Sequence, residues 1–81
     1  MKVRVLFFAR YGELVGQDER EVTIPGTATV GDLLSQLRSS LPGAEKFPVR
    51  PMVAVNQAHS GLEASLSEGD EIALLPPLAG G

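Results

Sequence analysis

The sequence contains no cysteine, no tryptophan and a single histidine, His59. Without cysteine there is no disulfide framework, no thiolate nucleophile and no paired-cysteine metal site. A lone histidine with no clustered acid or second ligand does not signal catalysis or metal binding, and His59 reads as a surface residue in a polar, turn-like stretch after Asn56-Gln57. Positive charge is scarce as well: seven Lys plus Arg stand against ten Asp plus Glu, a net charge of -3. That sign opposes unaided binding to phosphate backbones, so nucleic acid is not an expected partner. No apolar run approaches the roughly 18 residues of a membrane span. Met1 leads straight into a strand-like segment with no signal-peptide pattern, so a cytoplasmic location is expected. There is also no phosphate-cradling P-loop motif.

What remains is an ordinary folding composition, with 43% hydrophobic and 21% charged residues in 81, a length that serves one hydrophobic core. A domain this small buries roughly 60% of the surface of its unfolded chain, so most apolar side chains are needed inside and little is left to enclose a catalytic pocket. The expected organisation is a domain over residues 1–75 followed by a projecting tail over 76–81.

Val3 to Phe8 alternates with the period of a strand. Lys2 and Arg4 mark the wet face, so Val3, Val5 and Phe7 are expected inside, while Phe8 and part of Leu6 face out. Arg10 to Val15 suggests a short helix or turn ending at Gly16. Glu19 to Ile24 alternates again before a Pro25-Gly26 turn. Thr29 with Asp32 resembles a capping box, and Val30, Leu33, Leu34, Leu37 and Leu41 follow at helical spacing until Pro42-Gly43, with Leu33, Leu34 and Leu37 assigned to the core. Ala44 to Pro51, with two prolines, reads as an extended connection or broken edge. Met52 to Asn56 is a third strand, Gly61 to Asp70 a turn region, and Glu71 to Leu75 a last strand with Ile72 and Leu74 on one face and Ala73 and Leu75 on the other. Strand, strand, helix, strand, strand implies an α+β roll of the β-grasp kind, a mixed sheet packed on one main helix.

The chain ends Pro76-Pro77-Leu78-Ala79-Gly80-Gly81. Two prolines stop sheet pairing and send the chain outward semi-rigidly, and the stretch from Pro76 reaches roughly 20 Å at about 3.3 Å per residue. Glycines lacking side chains can pass a constriction and bring the terminal carboxylate against another backbone. A frayed end is the plain alternative, but at about 7% glycine two terminal glycines arise in only about 0.5% of random chains, so the diglycine is read as functional. A carboxylate is a poor acyl donor. Converting it to an acyl-adenylate requires ATP in a site that another protein supplies, and this chain would be the substrate of that step. Glu68, Asp70 and Glu71 either meet a basic partner surface or form a solvated turn.

The opening Val3-Arg4-Val5-Leu6-Phe7-Phe8-Ala9-Arg10, the following Glu13-Leu14-Val15-Gly16, Val53-Ala54-Val55-Asn56-Gln57 and the ending Glu68 to Gly81 resemble the small, sulfur-carrier subunits of molybdopterin synthase over nearly the whole chain. Diglycine alone is shared with thiamine and other sulfur carriers and with ubiquitin-like protein modifiers, which use the same activation step. The Phe-Phe-Ala-Arg opening and the Pro-Pro tail are more discriminating. A non-covalent binding module with an incidental tail is the remaining rival.

The resemblance implies a ubiquitin-like β-grasp carrier that binds no cofactor itself. Gly81 would be adenylated by an E1-like adenylyltransferase that uses ATP, converted to a thiocarboxylate, and inserted into the large catalytic subunit. There it would give sulfur to cyclic pyranopterin monophosphate, two small and two large subunits forming a heterotetramer. By position Gly81 carries the sulfur, Pro76, Pro77, Leu78, Ala79 and Gly80 form the inserting tail, and Phe8 and Leu75, with His59 at the border, form a docking patch. The sequence departs from the family pattern at Gly12, where a bulkier residue is usual and which leaves the short helix open. It departs again at Leu78-Ala79, where Val and a hydroxyl residue are frequent, without altering the chemistry.

Overall fold

The structure, a computed structural model, describes residues 1–76. Its elements are β1 (Lys2–Phe7), α1 (Arg10–Val15), β2 (Glu19–Thr23), α2 (Val30–Ser40), a single 3₁₀ turn (Ala44–Lys46), β3 (Met52–Val55), β4 (Ala58–Ser60) and β5 (Glu71–Leu75). The strands form one mixed sheet in the order β2-β1-β5-β3-β4. β1 and β5 are parallel, and the other neighbours are antiparallel. This is a β-grasp roll with one main helix across the sheet.

The inner face follows the alternation of the sequence. Val3, Val5 and Phe7 of β1, Val22 of β2, Val53 of β3 and Ile72 and Leu74 of β5 are buried together with Val30, Leu33, Leu34 and Leu37 of α2. The helical spacing places those four on one stripe, which is what holds α2 on the sheet. Its start is fixed by a reciprocal capping box: the Asp32 backbone N–H donates to Thr29 Oγ1 at 3.2 Å, and the Thr29 N–H donates to Asp32 Oδ2 at 2.9 Å. Each partner satisfies a donor that the first helical turn cannot.

The short helix that Gly12 left open does form, closing on Gly16 in the left-handed region at φ 74°. Glycine suits position 12 for a packing reason: a Cβ there would lie 3.0 Å from the Phe7 carbonyl oxygen. A side chain there would require the neighbouring backbone to give by a few tenths of an ångström.

Two expectations are corrected. Ala44 to Pro51 is not an extended connection throughout, since it opens with the 3₁₀ turn, and both Ala44 and Phe47 are buried. The Phe47 ring lies edge-on to Tyr11 with centroids 5.1 Å apart and is 6.1 Å from Phe7. One aromatic was enough to draw the segment in, because Gly43, at φ 97°, lets the chain turn against the Leu14 backbone, where a Cβ has no room. Second, the sheet has five strands. Val55-Asn56-Gln57-Ala58 makes a two-residue hairpin turn, with Asn56 at φ 49° and Gln57 at φ 72°, so His59 lies on β4 and not in a turn. Among the described residues no helix is long and apolar enough to cross a membrane.

Candidate functional site

β5 ends at Leu75, and Pro76, which has no N–H, follows at once, so the sheet cannot continue along the chain there. β1 runs parallel beside it, and the Phe8 N–H donates to the Leu74 carbonyl at 3.3 Å, bringing Phe8 alongside the end of β5. Directly after Phe8 the backbone turns through Ala9 at φ 51° and ψ -124° into α1. Phe8 therefore sits at a corner, 45% exposed.

Register builds the outer face around it. Leu6 pairs with Ala73, Ala73 with Ala54 and Ala54 with His59, one row across four strands, while Met52 pairs with Leu75 in the next row. Two alanines in the middle of that row keep the floor low between Leu6 and Phe8 on one side and His59 on the other. The result is an open depression of about 400 Å³ that also takes in Gln57, Glu71 and Leu75. Phe8, Leu75 and His59, separated by up to 67 positions in the chain, are thus brought to one concavity next to Pro76. Pro77, Leu78, Ala79, Gly80 and Gly81 lie outside the described residues.

The other half of the face is charged. Lys2 Nζ is 3.8 Å from Glu21 Oε1, Arg4 Nε is 3.9 Å from Glu19 Oε2, and Arg4 Nη1 is 3.8 Å from Glu71 Oε2. Long, exposed pairs of this kind contribute about 0–1 kcal/mol, so they shape the potential of the surface more than its stability. Asp70 and Glu68 are tied into the local backbone: Asp70 accepts from Asn56 Nδ2 at 2.9 Å and from the Ser67 N–H at 2.7 Å, and Glu68 accepts from the Lys2 N–H at 2.9 Å. Asn56 Oδ1 in turn accepts from the Glu71 N–H at 3.0 Å. This clamp fixes the β3–β4 turn against the start of β5 and so holds Gln57 and His59 over the depression.

The sequence reading did not single out Ala54, Ala73, Met52 or Asn56 for the site. Ala54 and Ala73 matter by being small, a property that carries no motif. Asn56 stood in the sequence as the end of a strand, and only the two positive φ values reveal it as a turn.

Among the described residues no group of three His, Asp or Glu side chains could hold a metal ion, and no polar or charged residue is buried. The phenol of Tyr11 is pushed up from its ordinary value by burial, but it sits in the aromatic cluster with Phe47, on the core side.

Comparison with known proteins agrees with this shape. The model of the ThiS family matches residues 5–81. The molybdopterin synthase sulfur carrier subunit of Mycobacterium tuberculosis is 37% identical over 82 residues, covering 100% of this chain and 99% of the relative. The crystal structure of SAMP1 from Haloferax volcanii superposes with a TM-score of 0.86 at 30% identity, both chains covered in full. A chain from the protein-protein complex of subunits 1 and 2 of molybdopterin-converting factor of Helicobacter pylori reaches a TM-score of 0.72 at 26% identity, again with both chains fully covered. With the family model and a full-length relative in agreement, this chain belongs to the ThiS family of ubiquitin-like β-grasp proteins.

Proposed function

We propose that this protein is the sulfur-carrier subunit of a molybdopterin synthase, acting in the cytoplasm. The carboxylate of Gly81 attacks the α-phosphorus of ATP on an E1-like enzyme and pyrophosphate leaves. Sulfide-level sulfur from a donor then displaces AMP, and the resulting thiocarboxylate sulfur attacks cyclic pyranopterin monophosphate inside the large subunit; water cleaves the acyl–sulfur bond so formed, leaving sulfur on the pterin and restoring the Gly81 carboxylate, two carriers serving each heterotetramer. The carrier itself performs no catalysis. Its own residues present the tail: Pro76 opens the segment, Pro77 to Gly80 form the inserting stretch, and Phe8, Leu75 and His59 form the face on which partners grip.

The observation that carries this reading is the full-length identity of 37% to a molybdopterin synthase sulfur carrier subunit. The apolar concavity beside the tail's point of departure supports it, since an inserted tail needs a docking surface at its root. The test is intact-mass measurement after incubation with the cognate activating enzyme, ATP and a sulfur donor. One oxygen of the terminus should be replaced by sulfur, and an unchanged mass would overturn the proposal.

A second reading, a protein modifier joined to lysines, is favoured by the similarity to SAMP1 and by a 34% identical relative, small archaeal modifier protein 3 of Haloferax volcanii. Isopeptide conjugates between the Gly81 carboxyl and lysines of other proteins, seen as higher-mass species carrying this chain in cell lysate, would select it. Their absence, together with failure of molybdenum cofactor synthesis on gene loss, selects the carrier.

A further inference from the structure

We propose that a second depression, on the β2 side of Phe8, receives an arginine or lysine side chain of the large synthase subunit; this rests on the docking role proposed for Phe8. The depression has a volume of about 370 Å³ and is lined by Leu6, Phe8 and Ala9, with Asp18 and Glu19 at its wall. Leu6 and Phe8 also line the concavity beside His59. Phe8 is therefore a ridge between two hollows, and a partner that covers the ridge must enter or cap both.

The hollows differ in charge. At the second, Glu19 has Arg4 within 3.9 Å, but the same guanidinium lies 3.8 Å from Glu71, so one cation serves two carboxylates. Asp18 makes no ion pair among the described residues. A Cβ at position 12 would lie 3.4 Å from Asp18 Oδ1, and glycine there leaves that carboxylate unshielded. The lining thus carries two carboxylates, of which only Glu19 has an ion-pair partner among the described residues, beside the apolar Leu6, Phe8 and Ala9. Arginine and lysine fit that combination, since their aliphatic stems pack on apolar surface while the head reaches a carboxylate. A guanidinium over the Phe8 ring gains a cation–π contact as well. Water excluded by the partner would strengthen both interactions relative to the open surface.

The experiment measures affinity of the full-length carrier for the large synthase subunit, at low and at physiological salt. Asp18→Asn combined with Glu19→Gln should weaken binding about tenfold at low salt and flatten its salt dependence. Glu13→Gln with Glu63→Gln removes the same net charge elsewhere and should change affinity much less. Both altered pairs are exposed, and thermal midpoints equal to the parent's establish that folding is intact. Equal losses in the two double variants would mean that net charge alone acts, and would overturn the assignment. Parent-like binding of the Asp18/Glu19 variant would overturn it too, and Phe8→Ala then separates the causes. If Phe8→Ala abolishes binding, the docking role stands and only the cationic contact is lost; if it binds normally, the docking role fails as well.

Discussion

Ala9 holds the most informative backbone geometry at the site. At φ 51° and ψ -124° it occupies a region that side chains disfavour, directly after the exposed Phe8. Such strain costs on the order of 1–3 kcal/mol and persists because β1 and α1 both constrain the corner. Ala9→Gly should raise stability by up to about 1 kcal/mol, the relief of strain being partly offset by the greater freedom of glycine in the unfolded chain. Ala9→Val should lower it by more than about 1 kcal/mol; chemical denaturation measures both. Tyr11 makes a prediction about pH. Burial raises its folded pKa, so its contribution is fully present below the unfolded value near 10 and is lost as pH climbs through the folded value. Tyr11→Phe should accordingly show a shallower fall in thermal midpoint above pH about 10 than the parent. A parallel fall in the two proteins would refute that role for the phenol.

At the scale of elements, the β3–β4 hairpin and α2 show opposite degrees of legibility. Helix α2 could be read from its spacing, its Thr29 cap and its Pro42-Gly43 stop, because every signal is local. Thr29→Ala should cost about 1 kcal/mol by leaving the Asp32 N–H without its partner, visible as a lower thermal midpoint. Strand β4 was hidden. Its turn needs positive φ at both central residues, a demand that Asn-Gly announces and Asn56-Gln57 does not. Gln57→Gly should stabilise the hairpin by about 0.5–1 kcal/mol, read by denaturant midpoint, provided the Asn56 clamp on Asp70 and Glu71 is kept. The 3₁₀ turn was hidden for a related reason: burial of Phe47 depends on Tyr11 and Phe7 reaching it from another part of the chain.

For the whole molecule, truncation separates the proposed presentation of a terminus from the stability of the core. Among the described residues the buried cluster runs as far as Leu74, and on the proposed function deleting Gly80 and Gly81 should abolish sulfur exchange while leaving the thermal midpoint unchanged; a large drop in that midpoint would mean the tail is part of the fold. The sequence by itself supplied the diglycine behind two prolines on which the proposed function rests, and it determined which face of β1, α2 and β5 turns inward. Period-two and helical patterns set the direction of a side chain relative to its own strand or helix, and this information is local. Only the tertiary structure decided which outward residues are neighbours. Leu6 meets Ala73, Ala54 meets His59 and Phe8 reaches Leu74 because β1 and β5 pair in parallel across more than 60 positions of chain, with β3 and β4 added on the far side. No alternation records a partner strand, and so the patch, its small-residue floor and the acidic hollow beside it exist only once the sheet has closed.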